Sequence, residues 1–381
     1  MAAITFYQQP TATTIQASDN PIIFVWSGAN YLQPNFCFIV QTVIDGVTLS
    51  TDMVFPERGA RAHFDICKTT LAAFKAAVRS SGLYTLQNFS TAKIKVAERY
   101  GSTPVTYGFS DSQEFRIMKA CCDDEVFEAN WITVNYPASS KWLTDVPDNI
   151  YLTSRDCPAW FSILNSDNHT TVGLTFTEAN GTVTIHSCAA DSAADRVNFC
   201  ISQTSLGAVL SAHPTVVWAN IVMIEVQMNA ADSIYVKFVD DDCELNQQIS
   251  WLNKLGTYDQ MLFSHNREVQ HSIQSQEYKK QFGQWSDNGQ SFVHDPLTSG
   301  DTPYLKVIEP TGSLYTGWVS QTYQNWLNTI ARSIDTLLHV GSSTERITVT
   351  DTKTDELQTK YEEIMNFQVN YKKTNFKSIN Q

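Results

Sequence analysis

Three consecutive aspartates, Asp240, Asp241 and Asp242, with Glu244 close behind, form the densest acidic cluster in the chain. A hard cation such as Ca²⁺ takes several oxygen ligands at once, so clustered carboxylates are the residue types such a site needs. This cluster lacks the spaced Asp-x-Asp-x-Asp-Gly order that wraps a loop around one ion. It follows the strand-like alternation of residues 233–239, where charge at a strand end discourages stray pairing. A charged bend is therefore the better reading, and no metal is expected.

The other groups with chemical potential are dispersed. The eight histidines form no His-x-His or HExxH arrangement, and His265 and His271 read as surface side chains beside strands. The eight cysteines show no Cys-x-x-Cys spacing, and only Cys121 and Cys122 are adjacent. Reduced thiols in a chain made in a cytosol are the expectation. No GxSxG, P-loop or GxGxxG occurs. A carboxylate pair for glycoside hydrolysis does not stand out among 39 acidic residues. We expect no catalytic residue, no cofactor and no enzyme.

Aromatic residues are the remaining candidates, with 20 Phe, 15 Tyr and 9 Trp. Trp285 and Phe292 lie in the Gly/Asn/Ser-rich stretch 281–299, and Trp318 and Trp326 lie beside polar residues further on. Aromatics in such settings stack on sugar rings, fill a pocket on a partner, or tuck back onto their own domain. All three readings stay open, and the four residues form the candidate interface set.

The elements that must carry these groups read mainly as strands. Residues 1–19 are polar and weakly patterned, an arm that frays or docks on a neighbour. Residues 20–141 alternate as strands (22–26, 36–43, 47–55, 92–100, 105–109), with Asp45-Gly46 marking a hairpin turn. Within them the run KTTLAAFKAAVRS (68–80) places Leu71, Phe74 and Val78 on one stripe of a helix. A strand at 126–134 and a linker at 137–141 close this domain.

Residues 142–245 carry short strands every 8–12 residues with turns such as Asn180-Gly181, the pattern of a β-sandwich. One of these strands is expected to span 216–228. The segment from Asn20 to Phe24 echoes that from Asp148 to Leu152, which suggests two related modules. Residues 246–381 read as α+β. Here we expect strands at 261–267, 269–273, 304–307, 345–350 and 363–371, an exposed loop at 281–299, and an amphipathic helix over 318–339. The fold class expected is mainly β, with two Ig-like β-sandwich modules followed by a smaller α+β C-terminal domain. Residues 233–263 form the hinge between the two kinds of architecture.

Composition narrows the function. The net charge is −13 and the cations are scattered, against a general nucleic-acid binder. The densest group, Lys372, Lys373 and Lys377, reads as a solvated strand end. The N-terminus MAAITFYQQP has neither the basic nor the apolar region of a secretory signal. The longest apolar run, 216–226, is far shorter than the roughly 20 residues that cross a bilayer as a helix.

Several segments together resemble a known family. Asn20-Pro21-Ile22-Ile23-Phe24-Val25-Trp26 with Gln33-Pro34-Asn35-Phe36 is similar to the run NPvvFvv…QPnFkyvvdvyvnG of virion proteins from phages of Bacteroidetes, including the crAss-like group. Phe64-Asp65-Ile66-Cys67 matches that family's FDIs helix entry. Residues 250–259, SWLNKLGTYD, resemble its WLNrLGGfD segment. Gly317-Trp318-Val319 and the stretch from Ile347 to Asp351 resemble its C-terminal ending. The matches come in order and span nearly the whole chain. Thr257 stands where the family has a second Gly, and Thr322 and Gln324 stand where acidic residues are usual.

The resemblance implies a structural protein of a tailed-phage virion, made in the bacterial host cytoplasm. It implies a portal-proximal tail ring or baseplate-like component that assembles as a cyclic homo-oligomer and links other tail or portal proteins. Neither a membrane nor a specific nucleic acid is an implied partner. The alternative is a tail adhesin that binds surface glycan through Trp285 or Phe292.

Overall fold

The structure, a computed structural model, describes residues 4–12, 15–57, 60–67, 79, 81–120, 142–164, 171–189, 195–228, 232–239, 247–263, 265–280, 284–285, 291–293, 300–340, 343–358, 363–374 and 377–380. The helix expected at 68–80 (Arg79 apart), the strand at 126–134, the linker at 137–141 and the bend at Asp240, Asp241 and Asp242 lie outside the described residues. The chain divides into two compact units, Met1–Asp240 with Trp251–Met261, and Asp241–Ser250 with Leu262–Gln381.

The first module of the first unit contains, in chain order, β1 (Thr5–Gln8), β2 (Ile15–Ala17), β3 (Ile23–Ser27), β4 (Cys37–Ile44), β5 (Val47–Val54), β6 (Arg61–Asp65), β7 (Tyr84–Gln87), β8 (Ser90–Tyr100), β9 (Val105–Thr106), β10 (Ser110–Asp111) and β11 (Phe115–Met118). One sheet runs β1-β3-β6, and a second runs β2-β11-β8-β4-β5, with β9 and β10 also on β8. The sequence alternates with period two, so one face of each sheet is apolar. Phe24 and Trp26 from β3 meet Phe38 and Val40 from β4 and Ile94 and Val96 from β8 in a single buried core. Burying side chains of this size contributes roughly 2–3 kcal/mol each, which holds the two sheets face to face.

The hairpin between β4 and β5 turns at Asp45 and Gly46, both at positive φ (49° and 78°). That is the type I′ geometry an Asp-Gly pair favours, because its twist matches the flanking strands. The N-terminal arm does not fray over its described strands. β1 pairs antiparallel with β3, and β2 pairs parallel with β11. Lys119 Nζ lies 2.7 Å from Asp19 Oδ1 and ties down the end of the arm.

The second module adds β12 (Ile150–Thr153), β13 (Ala159–Leu164), β14 (Thr171–Glu178), β15 (Val183–Ala189), β16 (Arg196–Ile201), α1 (Gly207–Ala212), β17 (Ile221–Met228) and β18 (Ile234–Phe238). Its sheets run β12-β18-β17-β14-β15 and β13-β16-β7. Tyr151 on one sheet stacks at 5.9 Å on Phe161 of the other, and Phe161 stacks at 5.6 Å on Phe199. The strand expected over 216–228 starts only at Ile221, because Trp218–Asn220 form a 3-10 turn.

β7 comes from the sequence of the first module yet completes a sheet of the second, against β16. The echo between the segments at 20–24 and 148–152 does not extend to topology. β3 is the middle of an antiparallel sheet, whereas β12 is an edge strand parallel to β18.

Two wholly buried strands, β19 (Gln247–Leu252) and β20 (Tyr258–Phe263), carry the chain across the border between the units. The second unit then consists of β21 (His265–Lys280), β22 (Gln284–Trp285), β23 (Phe292–Val293), β24 (Gly300–Ser320), α2 (Gln321–Leu327), β25 (Thr336–Val340), β26 (Ser343–Gln358), β27 (Glu363–Lys373) and β28 (Lys377–Asn380). Five of its strands run in the order β25-β26-β27-β24-β21, with β28 also on β24.

Three expectations change here. The strands at 261–267 and 269–273 give way to β20 and one 16-residue strand, β21. The loop at 281–299 contains a short ribbon of β22 and β23. The helix at 318–339 shrinks to α2 and the 3-10 turn Asn328–Arg332. Residues 318–320 finish β24. Ser320 caps α2 by accepting from the Tyr323 amide. Ser333 and Asp335 then close a side-chain turn that ends the helical path, and residues 336–340 pair with β26. Tyr323, Trp326, Leu327 and Ile330 kept the helical period, but Ile334 is 80% exposed. The apolar run 337–340 suits a strand as well as a helix, and pairing decided it.

Candidate functional site

The structure scatters the candidate interface residues. Trp285 and Phe292 sit directly opposite each other across the β22–β23 ribbon. Trp318 is 55% exposed, just past a bulge where Gly317 takes φ 72° and the Thr316 hydroxyl accepts from the Phe367 amide at 3.2 Å. Trp326 is buried in its own unit, edge-on to Tyr323. His265 and His271 lie on β21, opposite Tyr315 and Pro310 of β24.

The most densely satisfied polar cluster lies instead within the first unit, around the turn of the SWLNKLGTYD segment. Asn253 builds the turn: its Oδ1 accepts from the amides of Leu255 (2.9 Å) and Thr257 (3.1 Å). Its Nδ2 donates to the Leu143 carbonyl at 3.0 Å, and the Thr257 hydroxyl donates to the same carbonyl at 2.6 Å. An Asn side chain that mimics backbone in this way is a turn-former by chemistry. Leu255 drops into a small core with Phe89, Met118, Leu143 and Leu164, drawn from both modules.

Gly256 is required twice over. Its φ is +71°, and a Cβ there would stand 1.7 Å from the Lys119 carbonyl oxygen. Its own carbonyl accepts from Arg196 Nη1 at 3.3 Å, and Arg196 Nη2 donates to Gln87 at 2.7 Å. Arg196 is fully buried over the Phe89 ring, and burial pulls its guanidinium down to about 10. Arg116 pairs with Asp195, whose other oxygen accepts from the Phe89 amide at 2.9 Å. Asp259 is 1% exposed and accepts from Thr144 at 2.6 Å and from the Tyr151 hydroxyl at 2.7 Å. Burial, then the Asp259 carboxylate, hold that hydroxyl well above its usual range. A buried carboxylate with hydrogen-bond donors is stable where a bare one is not. The cluster fastens the segment to both modules, and its Thr144, Tyr151, Arg196, Thr257 and Asp259 are buried.

A serine–histidine pair in the second unit has the same character. Ser250 Oγ lies 3.0 Å from His339 Nε2, and His339 Nδ1 lies 3.0 Å from Thr344 Oγ1. A nucleophile–base pair has this spacing. Both residues are fully buried, so both ring nitrogens are satisfied inside the fold and no substrate reaches the hydroxyl.

Burial likewise pushes the Cys157 thiol up to about 12 and raises that of Cys200, and Cys37, Cys157, Cys188 and Cys200 stand outside any disulfide. Outside these clusters, His186 Nδ1 lies 2.9 Å from His213 Nε2. Among the described residues no group of three or more His, Cys, Asp or Glu could hold a metal, and no helix is long and apolar enough to cross a membrane.

Sequence reasoning missed the exposed apolar side chains at two sheet edges. β5 and the residue after it present Val47, Leu49, Met53 and Phe55, and β15 presents Val183 and Ile185. Alternation along 47–55 and 183–187 was visible, but a period-two pattern does not say which face a neighbour covers.

The fold places the chain in the mainly β class, with β-sandwich modules. No family model matches the sequence, and no curated protein matches it. Among solved structures, Dpr2 Ig1-Ig2 in complex with DIP-Theta Ig1-Ig3 matches with 7% identity and a TM-score of 0.21, over 99% of this chain and 98% of that one. A titin fragment, Titin-A168169, matches with 8% identity and a TM-score of 0.24, over 63% of this chain and 100% of that one. The assignment of fold class rests on the chain's own sheets.

Proposed function

We propose that this protein is a structural component of a tailed-phage virion, a portal-proximal ring or baseplate-like tail protein. In this reading it assembles as a cyclic oligomer and links neighbouring tail proteins. The ordered family-like segments motivate the proposal, and the observation that carries it is the β21–β24 ribbon. The two strands pair from His265↔Tyr315 to Lys280↔Gly300. At roughly 3.3 Å per residue that is about 50 Å of ladder. In sequence, β21 reads HNREVQHSIQSQEYKK, polar on both faces. β28 and β27 pair with the other side of β24 between Leu305 and Ser320, so the ladder is two-stranded only beyond Leu305. That outer tip, which a ribbon of two strands alone would hold only marginally in water, suits an arm laid on a neighbour.

Electron microscopy of the purified protein and of virions tests this. Closed symmetric rings are expected; a chain that is monomeric at all concentrations and absent from particles rejects the reading.

A second reading has one observation in its favour, the placement of Trp285 opposite Phe292 on the ribbon between β21 and β24. That pair suits a glycan-stacking platform on a tail adhesin. Glycan-array binding that disappears in Trp285→Ala, with rings absent, selects it over the first.

A further inference from the structure

We infer that β5 of one copy pairs with β15 of the next, joining the two sheets edge to edge; this rests on the ring reading above. A sheet edge is a row of unpaired amides and carbonyls, and natural proteins guard it by shortness, charge, proline or cover. Eight strands end the four sandwich sheets of the first unit, and six are guarded. β1, β2, β7 and β12 have only three or four residues. β6 carries Arg61, His63 and Asp65. β13 is covered: Trp142 bridges to Ile163, and the Trp160 amide donates to Gln260 Oε1 at 2.7 Å.

Among the described strands only β5 and β15 remain. β5 has eight residues, with Asp52 its single charge and no proline; β15 has seven residues and no charge or proline. Among the described residues, neither strand has a ladder partner on its outer side. Both edges also carry apolar side chains in the open. Val47, Leu49, Met53 and Phe55 are 60, 44, 51 and 66% exposed, and Val183 and Ile185 are 55 and 69% exposed.

The occupant follows from type and from area. The two edges differ in sequence and sit in different modules, so a contact between them is heterologous. Head-to-tail contacts of this kind give rings where the rotation between copies closes and open chains where it does not, never two-fold dimers. The exposed side chains on β5 leave roughly 400 Å² of apolar surface, within the range of about 300–600 Å² for the largest patch on a monomer. A stable pairwise complex buries about 800 Å² per partner. One such edge contact is therefore too small to hold a free dimer firmly, and a closed ring, which secures each copy at both edges, makes up the difference.

The test uses the full chain and two variants at exposed positions, Met53→Lys and Ile185→Lys, with native mass spectrometry and circular dichroism. If either lysine impairs folding, Met53→Thr and Ile185→Thr replace them. Wild type is expected to form rings, and each variant alone to remain monomeric with unchanged dichroism. An equimolar mixture of the two is expected to give a weak heterodimer, populated only at high concentration, and nothing larger, since only one good β5–β15 pair is left per dimer. Rings that persist in both variants overturn the edge contact and leave the ring reading standing. Open chains of wild type that are lost in either variant uphold the contact and overturn the ring. A mixture that restores full rings overturns the contact, and a monomeric wild type overturns both.

Discussion

At the scale of single residues, some groups have no choice. Gly256 has both a left-handed φ and a carbonyl in the space a Cβ would occupy, while Gly46 has the φ alone and nothing within 4 Å. Gly256→Ala is therefore expected to destabilise by about 3 kcal/mol or more, and Gly46→Ala by about 1 kcal/mol, in denaturant titrations. Asp259→Asn keeps the shape but loses the charged acceptor for Thr144 and Tyr151, and should cost about 1–3 kcal/mol in the same assay.

Tyr151 gives a pH dependence of definite sign. Its folded hydroxyl ionises well above the usual 10.0 of a tyrosine, so above that pH the unfolded chain binds fewer protons than the folded one. Stability present below pH 10 is lost as pH rises toward the folded value. The fall in melting temperature above about pH 10 should be shallower in Tyr151→Phe. The buried Cys157, at about 12, acts in the same direction from about pH 9 upward. Arg196, lowered to about 10, acts in the opposite one. Equal slopes in wild type and Tyr151→Phe would remove Tyr151 as the cause.

At the scale of elements, the second unit separates what packs from what reaches out. Leu314, Leu327, Ile330, Leu338, Phe367 and Val369 are buried and hold α2 to its sheet. On the outer ribbon Gln276–Lys279 are exposed. Replacing residues 277–304 by Asn-Gly, between the paired Gln276 and Leu305, should leave the midpoint of unfolding within about 0.5 kcal/mol of wild type. Under the ring proposal the same change abolishes assembly in virions. A loss of several kcal/mol would show that the ribbon is part of the folding core. The helix at 318–339 was half legible. Tyr323, Trp326 and Ile330 kept its period, whereas the Ser333–Asp335 turn and the strand after it depended on a partner, β26, that no local window contains.

At the scale of the whole molecule, a net charge of −13 on a chain with scattered cations predicts no retention of duplex DNA at about 0.15 M salt in a gel-shift assay. A shift that vanishes with added salt would reveal a basic surface that composition conceals. Much of the architecture was legible from composition and alternation. Strands with one apolar face, an Asp-Gly hairpin turn and short, evenly spaced segments determine a mainly β sandwich, because burial on one face imposes period two on the sequence itself.

The segment 250–259 was legible as a unit, but its task was not. The Gly256–Lys119 approach and the Asn253–Leu143 bonds join residues more than a hundred positions apart. The tertiary structure alone placed β7 in the second module, drew the long ribbon in register, docked the N-terminal arm on its own sheets and left β5 and β15 bare. Each of these depends on which strand lies beside which. Pairing is a nonlocal contact between backbones that carry the same amide and carbonyl groups at every residue, so the sequence says which face is apolar but not which neighbour will cover it.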